Sequence, residues 1–376
     1  MIYLDYAASA PPYPQVLSCL REVSGNVYAN PGALHRAGAE ARKILQDSRK
    51  VLAQNINVRP EEIFFTSGGT ESNNWALQLC CSNQSKKHIV CFAAEHSSVL
   101  QPLDVLQQKG YHVTYLTTDS GGTLASQAVE DAIRPDTGLI CVQAVNNETG
   151  VLQDVDAIAR IARKHRIPYF CDAVQSFGHV QQNLHKADLI SLSAHKFGGP
   201  RGIGCLVVRQ PLLPSPFHLG GGQEFGQRSG TENLPGIAGM ALASQISTEA
   251  HPSQASRLEA LRSTLEQGLL EICPDLCIAG QEARRSTIVC CRFPGIPAEE
   301  MVIRLDSQGV CASPGAACAA RSGAPSHVLL AMGFPSEEAS EFVRFSLGWN
   351  TTREQILQTT DIVSQIIRKR SRAYGK

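Results

Sequence analysis

The sequence has no excess charge of either sign: 34 Lys and Arg balance 34 Asp and Glu. There is no basic stripe to suggest nucleic acid and no like-charge block to suggest a disordered tail. Long apolar runs are missing too, so no segment has the length needed to cross a bilayer. The start, Met1-Ile2-Tyr3-Leu4-Asp5-Tyr6, lacks the basic and then apolar regions of a secretory signal. These absences predict a soluble cytoplasmic protein with no direct nucleic-acid or membrane partner. The chain holds 13 cysteines yet no C-x-x-C pair and no zinc-type spacing, so no metal is expected. Internal repeats and low-complexity segments are also lacking.

Most of those cysteines sit in apolar runs, such as Cys91 in Ile89-Val90-Cys91-Phe92 and Cys171 in Tyr169-Phe170-Cys171-Asp172. They read as small buried hydrophobes in a reducing compartment. A length of 376 residues is too great for one simple core and suits two domains.

Short runs rich in Val, Ile, Phe and Tyr alternate with amphipathic stretches. The runs lie near 62–66, 88–94, 112–117, 138–145, 168–172, 187–192 and 203–208. Helical patterns lie near 71–81, 97–109, 126–134 and 154–165. This alternation predicts an α/β fold with a mostly parallel seven-stranded sheet and helices on both faces. Ligands of such sheets bind at the carboxyl ends of the strands. A helix near 254–272 leads into a smaller α+β unit with strands near 287–293, 310–313 and 342–347 and helices near 298–308, 325–332 and 352–370. The expected division is a large domain at 15–252 and a small one made of 1–14 and 253–376. The Gly- and Pro-rich stretch 210–235 is expected to be a long functional or interface loop.

Thr66-Ser67-Gly68-Gly69-Thr70-Glu71-Ser72 lies between a strand and a helix. Small residues and helix-start N–H groups suit a phosphate, and Thr70 adds a hydroxyl. A plain Gly-rich turn capped by Thr70 is the other reading. Asp172 and Lys196 follow successive strands, which brings a carboxylate and an amine to one sheet edge. A pyridine-ring cofactor needs that pair: the acid keeps the ring nitrogen protonated and the lysine holds the cofactor and moves protons. A structural ion pair is the alternative. Gln175 could serve the phenolate oxygen of such a ring. His96 ends a strand and could stack on it, or be merely structural. Asn147 could meet the ring or the substrate, and Ser193 and His195 could bind phosphate with Thr70.

Cys318 stands apart in the small-residue run Gly315-Ala316-Ala317-Cys318-Ala319-Ala320-Arg321. It is a candidate nucleophile beside Arg321, or an incidental exposed thiol. Arg344, inside an apolar strand, needs an anionic partner: a substrate carboxylate or an internal salt bridge.

Together these motifs closely resemble the cysteine desulfurases of the NifS/IscS type, in the class V aminotransferase group of fold-type I pyridoxal-phosphate enzymes. The resemblance runs from Tyr3-Leu4-Asp5-Tyr6 to about Thr352. It includes Asn30-Pro31 with His35, Ala94-Glu95-His96, Val145-Asn146-Asn147-Glu148, Asp172-Ala173-Val174-Gln175, Ser193-Ala194-His195-Lys196 and Arg228-Ser229-Gly230-Thr231. It implies pyridoxal 5'-phosphate held covalently by Lys196, with Asp172 at the ring nitrogen and Gln175 and Asn147 on the phenolate side. His96 would stack on the ring, and Gly69, Thr70, Ser193 and His195 would hold the phosphate. Thr231 would reach the phosphate of a second subunit, so a homodimer is implied. Arg344 would bind the carboxylate of L-cysteine. Cys318 would take its sulfur as a persulfide, releasing alanine and passing the sulfur to an acceptor protein.

The chain departs from that pattern in places. Ala7-Ala8-Ser9-Ala10-Pro11-Pro12 replaces a small-Thr-Thr-Pro segment, Arg201 stands where Lys is frequent, and the chain stops at Lys376 without the longer IscS-type tail. The acceptor therefore stays open between iron–sulfur assembly, tRNA thiolation and other sulfur uses. A selenocysteine lyase, an aminotransferase, an epimerase or a non-catalytic assembly partner would keep much of the same residue set. The placed Cys318 argues against aminotransfer, and the intact Lys196, Asp172, His96, Cys318 and Arg344 argue against an inert protein.

Overall fold

A computed structural model describes residues 1–78, 85–212, 215–283, 286–315 and 325–374. Its first elements are β1 (Ile2–Tyr3), α1 (Pro14–Asn26), α2 (Arg36–Ile56), β2 (Ile63–Thr66), α3 (Gly69–Gln78), β3 (His88–Phe92), α4 (Ser97–Gln108), β4 (His112–Leu116) and α5 (Ser126–Asp131). Then follow β5 (Thr137–Cys141), α6 (Val155–His165), β6 (Tyr169–Asp172), β7 (Leu189–Ser193), β8 (Gly204–Val208) and α7 (Leu234–Ile272). The chain ends with β9 (Cys277–Ile278), β10 (Ile288–Arg292), α8 (Ala298–Asp306), β11 (Val310–Cys311), β12 (Ser313–Pro314), α9 (His327–Ala331), α10 (Ser336–Ala339), β13 (Phe342–Ser346) and α11 (Arg353–Tyr374).

Seven strands form one sheet in the order β2-β8-β7-β6-β5-β3-β4. The pairs from β7 to β4 are parallel, and β8 runs antiparallel to both β2 and β7. The sheet is the mostly parallel one expected from the alternation. Its strands are apolar at successive positions because both faces are covered. Val90, Phe92, Ile140, Tyr169, Cys171 and Ile190 pack into one core with α1, α2, α6 and the first half of α7. Their neighbours Ile89, Cys91, Leu139, Cys141, Phe170 and Leu189 pack into another with α3 and α4. That split is the period-two alternation of a strand buried on both sides.

A second sheet, β12-β13-β10-β9, is antiparallel throughout. It shares a separate core with the end of α7, α8 and α11, and with Ile2 and Leu4 from the N-terminus. Strand β1 pairs with β11, which ties the first residues into this unit. We propose the division into a large unit at 15–252 and a small one made of 1–14 and 253–376 on these separate cores.

The helix expected near 254–272 is in fact much longer. Helix α7 starts at Leu234 and runs 39 residues, with Pro252 inside it. A proline there costs about 3 kcal/mol of helix stability. Packing on either side offsets it: Ile237, Met240 and Ala243 lie in one core and Leu258, Leu261 and Leu265 in another. Gly236, Gly239 and Pro252 hide this helix from a reading by propensity.

The stretch before α7 is irregular, as expected, but is held firmly at one point. Arg49 and Glu224 form a bidentate pair at 2.6 and 2.9 Å, with both side chains only 3% exposed. Glu224 also accepts from the Phe65 N–H at 2.8 Å. Glu224 and Phe225 have φ of 49° and 58°, a left-handed conformation that non-glycine residues adopt only when their surroundings enforce it. Replacing Arg49 by Met leaves a buried carboxylate unpaired. The expected loss is about 3–5 kcal/mol in urea denaturation. A loss below about 1 kcal/mol, the worth of a surface pair, would contradict this role.

Candidate active site

The carboxyl edge of the large sheet opens into a cavity of about 620 Å³. That is in the ordinary range for a small-molecule site. Its floor comes from neighbouring strands. Asp172 ends β6, opposite Ser191 of β7. Strand β7 ends at Ser193, and a short turn, Ala194–Lys196, then carries His195 and Lys196. Thr70 lies in the first turn of α3, after β2, and His96 caps α4, after β3.

The cavity brings together Gly69, Thr70, His96, Asn147, Asp172, Gln175, Ser193, His195, Lys196 and Arg344. Thr231 is elsewhere, in a smaller recess with Ser67 and Arg228. Arg228 clamps the start of α3 by pairing with Glu71 at 2.9 Å. Cys318 and its neighbour Arg321 lie outside the described residues.

Asp172 is well anchored. Its Oδ1 accepts from the Val174 N–H at 2.9 Å and its Oδ2 from the Asn73 amide at 2.7 Å. Lys196 Nζ donates to the carbonyl oxygens of Ala7 at 2.5 Å and Ala8 at 3.1 Å. The Gln175 amide donates to the same Ala7 oxygen at 2.7 Å. The N-terminal segment that departs from the resembled pattern thus lies directly over the lysine. Arg344 is nearly buried and donates to Asp5 at 2.9 Å and to the Asn147 carbonyl at 2.8 Å. The internal salt bridge weighed for it therefore exists, with Asp5. Its Nε has no hydrogen-bond partner among the described groups, which leaves a donor for a further anion.

Burial shapes the charges. Desolvation, with Lys196 and Arg201 adding to it, pulls His195 down to about 4, so its imidazole is neutral at pH 7. Burial, with the nearby Asp172 carboxylate, pushes fully buried Glu95 well above the usual carboxylate range. Glu95 Oε1 accepts from the Gln143 N–H at 2.5 Å. Burial also raises Glu148 to about 7 against the opposing effects of Ser326 and Arg344. Ser326 donates to Glu148 at 2.5 Å, and the His327 ring meets the Glu95 carbonyl oxygen at 2.8 Å. Ser326 and His327 come after the run that contains Cys318 in the sequence.

Sequence reasoning missed Asn73, Ser98, Glu148 and His327, which also line the cavity. Asn73 is one helical turn from Thr70, a spacing that could have found it. Ser98 and His327 carry no signal beyond their neighbours. Glu148 stands inside a quoted motif but looks like an ordinary surface acid.

The residues fit pyridoxal phosphate. Ser193, Thr70, a neutral His195 and the start of α3 line this cavity and would suit a phosphate. A Cβ on Gly69 would come within 2.8 Å of the Val174 side chain, so a larger residue there would have to displace it. Asp172 supplies a fixed carboxylate and Lys196 an amine.

Comparison with known proteins agrees. The family described as Aminotransferase class-V matches residues 2–358. A protein named cysteine desulfurase IscS from Dictyoglomus turgidum is 36% identical over 373 residues, covering 98% of this chain and 95% of that protein. A solved NifS-like protein superposes with a TM-score of 0.91 at 32% identity, covering 98% of this chain and 99% of that one. A structure of SspA in complex with cysteine gives 0.82 at 36% identity, covering 92% and 99%.

Glu148 gives a pH test. Its folded-state value of about 7 lies above the unfolded value of about 4.3, so the folded state holds the extra proton between them. Its contribution to stability therefore falls as pH rises from about 4.3 to 7. Glu148→Gln should remove that fall, becoming more stable than wild type by roughly 3 kcal/mol at pH 8 and about equal at pH 4. Urea midpoints across pH check this, and parallel curves for the two proteins would contradict it.

Proposed function

The chain belongs to the class-V aminotransferase family and is a pyridoxal-phosphate-dependent cysteine desulfurase; from that premise we propose how its own residues divide the work. When bound, the cofactor supplies the electron sink that lets an amino acid lose its Cα proton. Lys196 holds the cofactor covalently, and its amine then takes and returns protons at the substrate carbons. Asp172 would serve the ring nitrogen, Gln175 and Asn147 the phenolate oxygen, and His96 would stack on the ring. Gly69, Thr70, Ser193 and His195 cradle the phosphate. The observation that carries this reading is the delivery of Asp172 and Lys196 by adjacent strands into one cavity with Arg344.

Arg344 binds the substrate carboxylate, supported by its unpartnered Nε and its place on the cavity wall. Cys318 attacks the substrate sulfur. A bond forms between the two sulfurs and the substrate Cβ–Sγ bond breaks. Its electron pair stays with carbon, which takes a proton, so alanine leaves and Cys318 keeps a persulfide. The fastening of Ser326 and His327 at the cavity supports delivery of Cys318 to this place.

Thr231 serves the phosphate of a second copy, and we infer a homodimer. The support is that Thr231 lies outside its own chain's cavity, in a segment fastened by Arg49 and Arg228. A cytoplasmic location is favoured because every described cysteine is a free thiol. No described helix is long and apolar enough to cross a membrane. An acceptor protein takes the sulfur, and a pull-down with Cys318 in the persulfide state distinguishes iron–sulfur assembly from tRNA thiolation.

With L-cysteine and a reductant, the wild type should release alanine and sulfide in equal amounts. Cys318→Ala should keep the cofactor's absorbance and lose sulfide release; sulfide at the wild-type rate would remove Cys318 from the mechanism. Arg344→Lys should raise KM for cysteine by roughly 10- to 100-fold, the worth of a charge-assisted bond pair. An unchanged KM would assign the carboxylate to another group.

A further inference from the structure

His96 is tied into a chain of hydrogen bonds that reaches Asp172 on the neighbouring face of the cavity. The Asn73 amide nitrogen donates to Asp172 Oδ2 at 2.7 Å and to Ser98 Oγ at 2.8 Å. Ser98 Oγ lies 2.7 Å from His96 Nδ1, and the Ser98 backbone N–H donates to that same nitrogen at 3.1 Å. Asn73 is 1% exposed and Ser98 8%.

The donors and acceptors in this chain can be arranged in only one way. A carboxylate only accepts, so the Asn73 amide cannot turn its oxygen toward Asp172. Both amide hydrogens are thereby committed, one to Asp172 and one to Ser98. Asn73 Oδ1 is buried without a partner among the described groups, consistent with an amide held by its nitrogen alone. Ser98 Oγ accepts from Asn73, so its own hydrogen is free for His96 Nδ1. That nitrogen then faces two donors and cannot carry a hydrogen itself.

We propose that Asn73 and Ser98 are positioning residues that hold His96 as a neutral imidazole with its hydrogen on Nε2. The inference deepens the reading of His96 as the imidazole facing the cofactor and rests on it. It explains how a ring that feels both the Asp172 carboxylate and Lys196 keeps one tautomer through a cycle of proton transfers. The surrounding charges do not set this alone. Burial lowers the proton affinity of His96, Asp172 raises it, and Lys196 and His327 lower it again. Burial and Asp172 push Glu95, next in the chain, well above the usual carboxylate range. His96 also caps the start of α4, where helix N–H groups oppose a positive ring.

The test is nitrogen NMR of histidine-labelled holoenzyme, with the His96 signal identified by its loss in His96→Gln. Wild type should show the Nε2–H tautomer. Ser98→Ala removes one donor to Nδ1 and should raise the His96 titration midpoint by about half a unit to one unit. The acid limb of the pH profile for alanine formation should move with it. Ser98→Thr keeps the hydroxyl and should restore the wild-type midpoint. Asn73→Leu, which frees the Ser98 hydroxyl to turn, should raise the midpoint in the same direction, with unchanged circular dichroism confirming the fold. An Nδ1–H tautomer in wild type, or a midpoint that does not move in Ser98→Ala, would overturn the proposal. Failure of the underlying reading would look different: His96→Gln would form alanine at the wild-type rate.

Discussion

The site depends on the pairing of β6 with β7. Because Asp172 lies opposite Ser191, the turn after β7 brings Lys196 to the same edge as the Asp172 carboxylate. Parallel strands end together at one side of a sheet, and their buried apolar runs set the register firmly. A slip of one residue would turn Asp172 toward the opposite face. Other contacts build on this pairing. The His179 ring meets the Lys196 carbonyl oxygen at 2.7 Å, and Asn73 and Val174 fix the carboxylate.

The small unit completes the site from both ends of the chain. Asp5 and Ala7 arrive from the N-terminus and Arg344 from β13, and Asp5 bonds Arg344 while the Ala7 carbonyl receives Lys196 and Gln175. Ser326 and His327 bond Glu148 and the Glu95 carbonyl. Four acidic side chains, Asp5, Glu95, Glu148 and Asp172, therefore gather near one cavity. They coexist because burial raises the proton affinity of Glu95 and Glu148, while Arg344 pairs with Asp5 and fixed donors hold Asp172. Such a site suits a reaction in which protons must be moved.

Much of this was legible in the sequence. Strands buried on both faces announce themselves as apolar runs, and Asp172, Lys196, His96 and Asn147 could be placed at their ends. Helix α7 was only half visible, because its first turns carry Gly236 and Gly239 and its middle carries Pro252; long-range packing, not propensity, forms it. The Arg49–Glu224 pair joins residues 175 positions apart and leaves no local pattern. Asn73 and Ser98 were hidden for a similar reason. Their meaning lies in hydrogen bonds between separate elements, which spacing along one element cannot reveal.

The central claim is that Lys196, set beside Asp172 by adjacent strands, is the residue that holds the cofactor. Borohydride reduction of the holoenzyme followed by peptide mass mapping tests it most directly. The account predicts the added cofactor mass on Lys196 alone, in the peptide running through Phe197 and Gly198. Cofactor mass on any other lysine, or none on the Lys196 peptide, would contradict it.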